Sequence, residues 1–90
     1  SGPVATAIGQ KMKTLSNSCQ VFAVTHLAQV AACADTHYFV SKEDKDNKTI
    51  THVTELDDKG RIDQLALIFS GSITDISKKA AQELYRRNHS

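Results

Sequence analysis

The sequence predicts an α/β fold in which helices surround one buried strand and an exposed β-hairpin. Three observations carry this. Apolar residues recur at helical spacing near both ends of the chain. Between them, Cys19-Gln20-Val21-Phe22-Ala23-Val24 is a nearly continuous apolar run rich in β-formers, which suits a strand covered on both faces in a parallel sheet. Farther on, two runs rich in Thr, Val, Ile, Tyr and Phe flank a polar cluster, the pattern of a hairpin with a solvated tip.

Taken in order, a first helix is expected over Pro3 to Ser16, with proline at a tolerated helix start and Val4, Ile8, Met12 and Leu15 on one face. Asn17 and Ser18 break it, and the apolar run follows as a strand that ends at Thr25-His26. Leu27 to Ala34 reads as a short helix with Leu27, Val30 and Ala31 on one side. The hairpin arms are Thr36 to Lys42 and Lys48 to Glu55, with Glu43 to Asn47 as the tip and a register that is not readable from sequence. Asp57-Asp58-Lys59-Gly60 reads as a turn before a helix marked by Ile62, Leu65, Ala66 and Phe69 and stopped by Gly71. In the last helix Thr74 is the cap, Ile76, Ala80 and Leu84 form the inner face, and Arg86 and Arg87 complement the dipole in the final turn.

The chain has 90 residues, 40% of them hydrophobic, enough for one modest core and too few for two domains. A lone hydrophobic strand has no parallel partner in this order of elements, so residues 1–90 are expected to be one unit, the end of a larger α/β domain. A net charge of +1 argues against a charge-driven grip on nucleic acid or an anionic membrane. The longest apolar run, Val21 to Val24, is far below the roughly 20 residues of a membrane span, so a soluble chain is expected. Cys19 and Cys33 have apolar neighbours and no CxxC spacing, which points to reduced, buried thiols in a cytoplasmic protein.

His26 is the candidate functional residue, because open α/β sheets bind ligands beyond the carboxyl ends of their strands. An imidazole there can donate to a phosphate oxygen or orient water; alternatively it caps the helix that follows or is satisfied within the loop. His37 and His52 on the hairpin are too few for a structural zinc site, and no metal is expected. Cys19 and Cys33 as packed thiols are poor nucleophiles, and His89 reads as a frayed end. No Gly-rich phosphate loop and no Asp-Glu pair after an apolar strand is present.

The run from Val21 to Asp35, containing "VTHLAQVAACAD", resembles the switch-histidine segment of the RecN family of bacterial DNA repair proteins, relatives of the structural-maintenance-of-chromosomes ATPases. Upstream, Ser1-Gly2, Val4-Ala5 and Ala7 to Met12 resemble that family's D-loop and the helix after it; downstream, the hairpin, Arg61-Ile62, Leu65-Ala66, Gly71 and Ile73-Thr74 resemble its C-terminal lobe. Residues 70–81 depart from the family pattern.

The resemblance implies the C-terminal part of a P-loop NTPase head of the ABC/SMC type, with a β-hairpin and two C-terminal helices. It implies His26 as the switch histidine at the terminal phosphate of ATP, and Ser1 and Gly2 as the tail of a D-loop that reaches across a dimer. ATP and Mg2+ would serve the parent protein, a second head would be its partner, DNA would be engaged through the parent, and the setting would be cytoplasmic and nucleoid-associated. The phosphate loop, signature motif and Walker B carboxylates would precede Ser1, so these 90 residues alone would be catalytically silent. A reading of another class is an independent protein- or DNA-docking module built from the hairpin and last two helices. Against a DNA-binding helix, Lys78, Lys79, Arg86 and Arg87 are interleaved with Asp75 and Glu83.

Overall fold

The computed structural model describes residues 2–89. It contains α1 (Gly2–Leu15), α2 (Ala28–Ala31), β1 (Tyr38–Lys45), β2 (Lys48–Glu55), α3 (Asp58–Ser70) and α4 (Asp75–His89). The mixture of helices and strands agrees with the expected α/β class, and the sheet is a two-stranded antiparallel ribbon.

Local chemistry sets the helix ends. The Asp57 carboxylate accepts from the Gly60 N–H at 2.8 Å, so residues 57–60 are the cap and first turn of α3 rather than a separate turn. Gly71 ends α3 at φ 82°, where its N–H reaches the Leu67 carbonyl at 2.8 Å. At α4 the Thr74 hydroxyl accepts from the Ser77 N–H at 3.0 Å while Ser77 Oγ accepts from the Thr74 N–H at 2.8 Å. This is a reciprocal capping box with serine in the position usually held by glutamate.

Ala28, Ala31, Ala32, Leu65, Ala66, Ala81 and Leu84 form the core, with Ile62, Ile68 and Tyr85 against it. Small residues decide which faces meet. In α4 the inner face is Ser77, Ala81 and Leu84; of the expected Ile76, Ala80 and Leu84, only Leu84 is buried, and Ile76 is 83% exposed. In α1 the buried positions are Ala5 and Gly9, while Val4, Ile8 and Leu15 are exposed. Gly9 explains this inversion: a Cβ there would stand 2.7 Å from Cys33 Sγ and 3.0 Å from the Gln29 carbonyl oxygen. The backbones of α1 and the α2 region meet at the glycine, and the larger apolar stripe is left facing outward.

The expected strand over Cys19 to Val24 does not form. Residues 20–25 run without a ladder partner, since the strands among the described residues pair with each other. Phe22 is 80% exposed, and Ala23, Val24 and Cys19 are also exposed, so Cys19 is not the buried thiol expected; Cys33 is. A segment becomes a strand only with a ladder partner, and an apolar one is held flat only when layers cover its faces; among the described residues this run has no ladder partner.

The hairpin turn is tighter than expected, and the first arm starts at Tyr38 rather than Thr36. Asp46 and Asn47 both have positive φ, 53° and 62°, forming a two-residue turn of the type that matches strand twist, so Glu43, Asp44 and Lys45 belong to β1. Tyr38 pairs with Glu55, Val40 with Val53 and Ser41 with His52, which leaves His52 opposite serine rather than His37.

The molecule is open for its size. Its accessible surface is 6591 Å², against about 5,200 Å² for a compact monomer of this mass. Its radius of gyration is 14.2 Å, against about 12 Å for a compact domain of this length. With Phe22, Val24, Val4 and Ile8 among the uncovered side chains, the isolated chain is expected to self-associate or melt without cooperativity. Sedimentation showing a compact monomer, with a cooperative transition above about 65 °C, would contradict this.

Candidate functional site

The chain bends at His26 because the Thr25 hydroxyl oxygen accepts from the Leu27 N–H at 3.0 Å, a side-chain turn that reverses the extended run. Leu27, with φ −104° and ψ 118°, is the N-cap of α2 and its carbonyl accepts from Val30 and Ala31 at 3.1 and 3.0 Å. The cap carries no side-chain hydrogen bond, so His26 does not cap the helix. The imidazole is exposed and makes no hydrogen bond to any described residue. Both ring nitrogens are free to meet a ligand.

The segment after His26 is buried and hydrogen-bonded to remote elements. Ala28, Val30, Ala31, Ala32 and Cys33 are buried. Beyond α2, Arg61 Nη2 donates to the Ala34 carbonyl at 2.7 Å and Nη1 to the Asp35 carbonyl at 3.2 Å. His89 Nε2 donates to the Ala32 carbonyl at 2.6 Å, and its ring stacks on Tyr85 with centroids 4.4 Å apart. The Arg61 guanidinium lies over the other partner of that stack, 4.8 Å from the Tyr85 centroid, and the Tyr85 hydroxyl donates to Asp58 at 2.8 Å. Lys13 pairs with Asp35, and this hydrogen bond and charge hold the Asp35 carboxyl below its ordinary range.

Nothing local in the sequence marks this framework. His89, read as a frayed end, is instead anchored to Ala32, and Arg61 and Tyr85 carry no local pattern that marks them. A buried position for arginine one turn into an amphipathic helix becomes visible only when its carbonyl partners, 26 and 27 residues away, are placed.

Of the remaining candidates, Cys33 and His52 are engaged by other partners, whereas His37 Nδ1 is buried without a hydrogen bond. Cys33 donates to the Gln29 carbonyl at 3.2 Å and approaches Asn88 Oδ1 at 3.3 Å, and burial pushes its thiol pKa up, which disfavours the thiolate. His52 pairs with Glu43 across the ribbon at 2.7 Å. His37 has its pKa lowered, first by desolvation and then by the charge of Arg61. Among the described residues no group of three or more His, Cys, Asp or Glu side chains could hold a metal ion, and no helix is long and apolar enough to cross a membrane. Gly2 is the first residue of α1, and a Cβ on it would lie 3.7 Å from Gln29 Nε2, so the start of α1 sits beside the helix that follows His26. Ser1 lies outside the described residues.

Compared with known proteins, the chain aligns over nearly its whole length with bacterial DNA repair proteins of one kind. It is 41% identical over 88 residues to the DNA repair protein RecN of Bacillus subtilis, which is 97% of this chain and 15% of that protein. The corresponding RecN of Vibrio cholerae is 44% identical over 85 residues, covering 93% of the chain and 15% of the relative. That of Deinococcus radiodurans is 37% identical over 83 residues, covering 92% and 15%. No protein-family model matches. The 90 residues therefore match one segment of RecN-type DNA repair proteins, spanning about 15% of the length of the curated relatives they match, and the expected resemblance to RecN is borne out at the level of the whole segment.

Proposed function

We propose that this chain is the C-terminal part of the ATPase head of an ATP-dependent protein of DNA double-strand break repair, and that His26 is its switch histidine. The observation that carries the reading is the state of His26: exposed on a pinned bend, with no hydrogen bond to a described residue, at the end of an apolar run that is itself uncovered. The relatives' name, DNA repair protein, supports the repair role. In this reading the apolar run is a strand of a sheet completed by the rest of the head, and His26 emerges at its carboxyl end, where open α/β sheets bind ligands.

His26 would donate to an oxygen of the terminal phosphate or hold the attacking water, stabilising charge that grows during transfer. ATP supplies the transferred phosphoryl group, with Mg2+ held by the nucleotide and by residues outside this segment, since the described residues offer no cluster of ligands for it. The partner would be a second head, approached from the side where Gly2 begins α1, with Ser1 and Gly2 as the D-loop tail. DNA would be engaged through other parts of the parent, in the cytoplasm at the nucleoid.

The test is His26→Ala in a full-length RecN-type protein carrying these residues, with ATP turnover and nucleotide affinity measured together; unchanged turnover rejects the reading. The isolated chain is expected to bind ATP more weakly than about millimolar, because backbone donors of a phosphate loop normally supply most phosphate contacts. Calorimetry giving micromolar affinity would reject the division of labour between this segment and the rest.

A further inference from the structure

Ala28, where α2 begins, follows His26 by two residues, and α2 has only four residues. A helix that short has no stiffness of its own. Its orientation is held from two sides: α1 closes on it at Gly9, against Cys33 and the Gln29 carbonyl, and its exit is held by the carbonyls of Ala32, Ala34 and Asp35, taken respectively by His89 at 2.6 Å, Arg61 Nη2 at 2.7 Å and Arg61 Nη1 at 3.2 Å. Arg61 is only 4% exposed, its guanidinium is stacked on Tyr85, and its Nε is buried without a partner. The side chain thus commits its forked terminal donors to two successive carbonyls, a two-point grip that fixes direction as well as distance.

We infer that Arg61 is a positioning residue for His26, with His89 as its auxiliary: α3 and α4 clamp the exit of α2 and thereby fix the bend from which the imidazole projects. The inference rests on the proposed role of His26 at the phosphate. Displacement of a reacting group by about 1 Å can lower a rate about 10²-fold, so a loosened clamp acts on turnover before it acts on nucleotide binding. Lysine at this position keeps the charge but replaces the fork with a single ammonium that cannot reproduce both bonds.

The experiment uses a full-length RecN-type protein carrying these residues, with Arg61→Lys, His89→Ala and His26→Ala, and Arg61→Lys combined with His26→Ala. ATP kcat and KM are measured per folded molecule, below the melting transition. Arg61→Lys is expected to lower kcat about tenfold or more with KM within about two-fold, and His89→Ala to do the same to a smaller extent. On the His26→Ala background Arg61→Lys is expected to add no further loss, because it acts through the imidazole. Unchanged kcat in both Arg61→Lys and His89→Ala, or losses that multiply in the double variant, overturns the clamp while leaving the role of His26 standing. Normal turnover in His26→Ala alone overturns both.

Discussion

Replacing His26 with alanine in a full-length RecN-type protein is expected to lower ATP turnover by about 10²-fold or more, with nucleotide affinity within a few-fold of the parent. A preorganised donor aimed at charge that develops during reaction contributes mainly to the transition state, and removing one such donor typically lowers kcat about 10²–10³-fold. Stability should hardly move. The ring is exposed, makes no hydrogen bond to a described residue and is not the cap of α2, and surface substitutions of that kind stay within about 0.5 kcal/mol. Rates, affinity and melting temperature measured on one variant separate the outcomes, and a lowered melting point with normal turnover would assign His26 to structure.

Leu65→Ala is expected to be the most damaging change to the fold. Leu65 is the largest side chain buried to below 2% exposure among the described residues, in a core otherwise supplied mainly by alanines. Truncating a buried leucine typically costs about 2–5 kcal/mol, the upper part of the range applying where surroundings cannot collapse into the space. Here the alanines of the cluster, Ala28, Ala31, Ala32, Ala66 and Ala81, cannot extend into the space, which leaves only Leu84, Ile62, Ile68 and Tyr85 to move toward it. Against a total stability of about 5–15 kcal/mol for ordinary domains, and less for so open a chain, the loss should abolish the near-native circular dichroism of α3 and α4 at moderate temperature. An unchanged melting curve would mean that the packing of these helices lies elsewhere.

Much of the architecture was legible because its signals are local. Thr74 and Gly71 mark helix boundaries by their own backbone chemistry, and the hairpin arms declare themselves by β-formers around a polar turn. The one-residue difference between Ile76 and Ser77 as the inward position was not legible, since apolar spacing favours the isoleucine whereas close approach of helices favours the small residue. The same competition turned α1 over, with Gly9 against Cys33 prevailing over the Val4, Ile8 and Leu15 stripe. The apolar run over Cys19 to Val24 was legible as apolar but not as a strand, because strandness belongs to the sheet and not to the segment. His26 stood out by its place after that run, whereas Arg61, Tyr85 and His89 did not, because their partners are remote in sequence.

The alanine-rich contact between α2, α3 and α4 also shapes how this segment can change over generations. Where small side chains set the spacing, truncation has little left to remove at Ala28, Ala31, Ala32, Ala66 or Ala81, while each added methyl works against the close packing. Tolerance to substitution is therefore lopsided: drift is open on the broad exposed faces of the ribbon and of α1 and nearly closed toward larger residues at five small ones. The clearance between the helices acts as a gauge that accepts a sequence by its narrowest side chains.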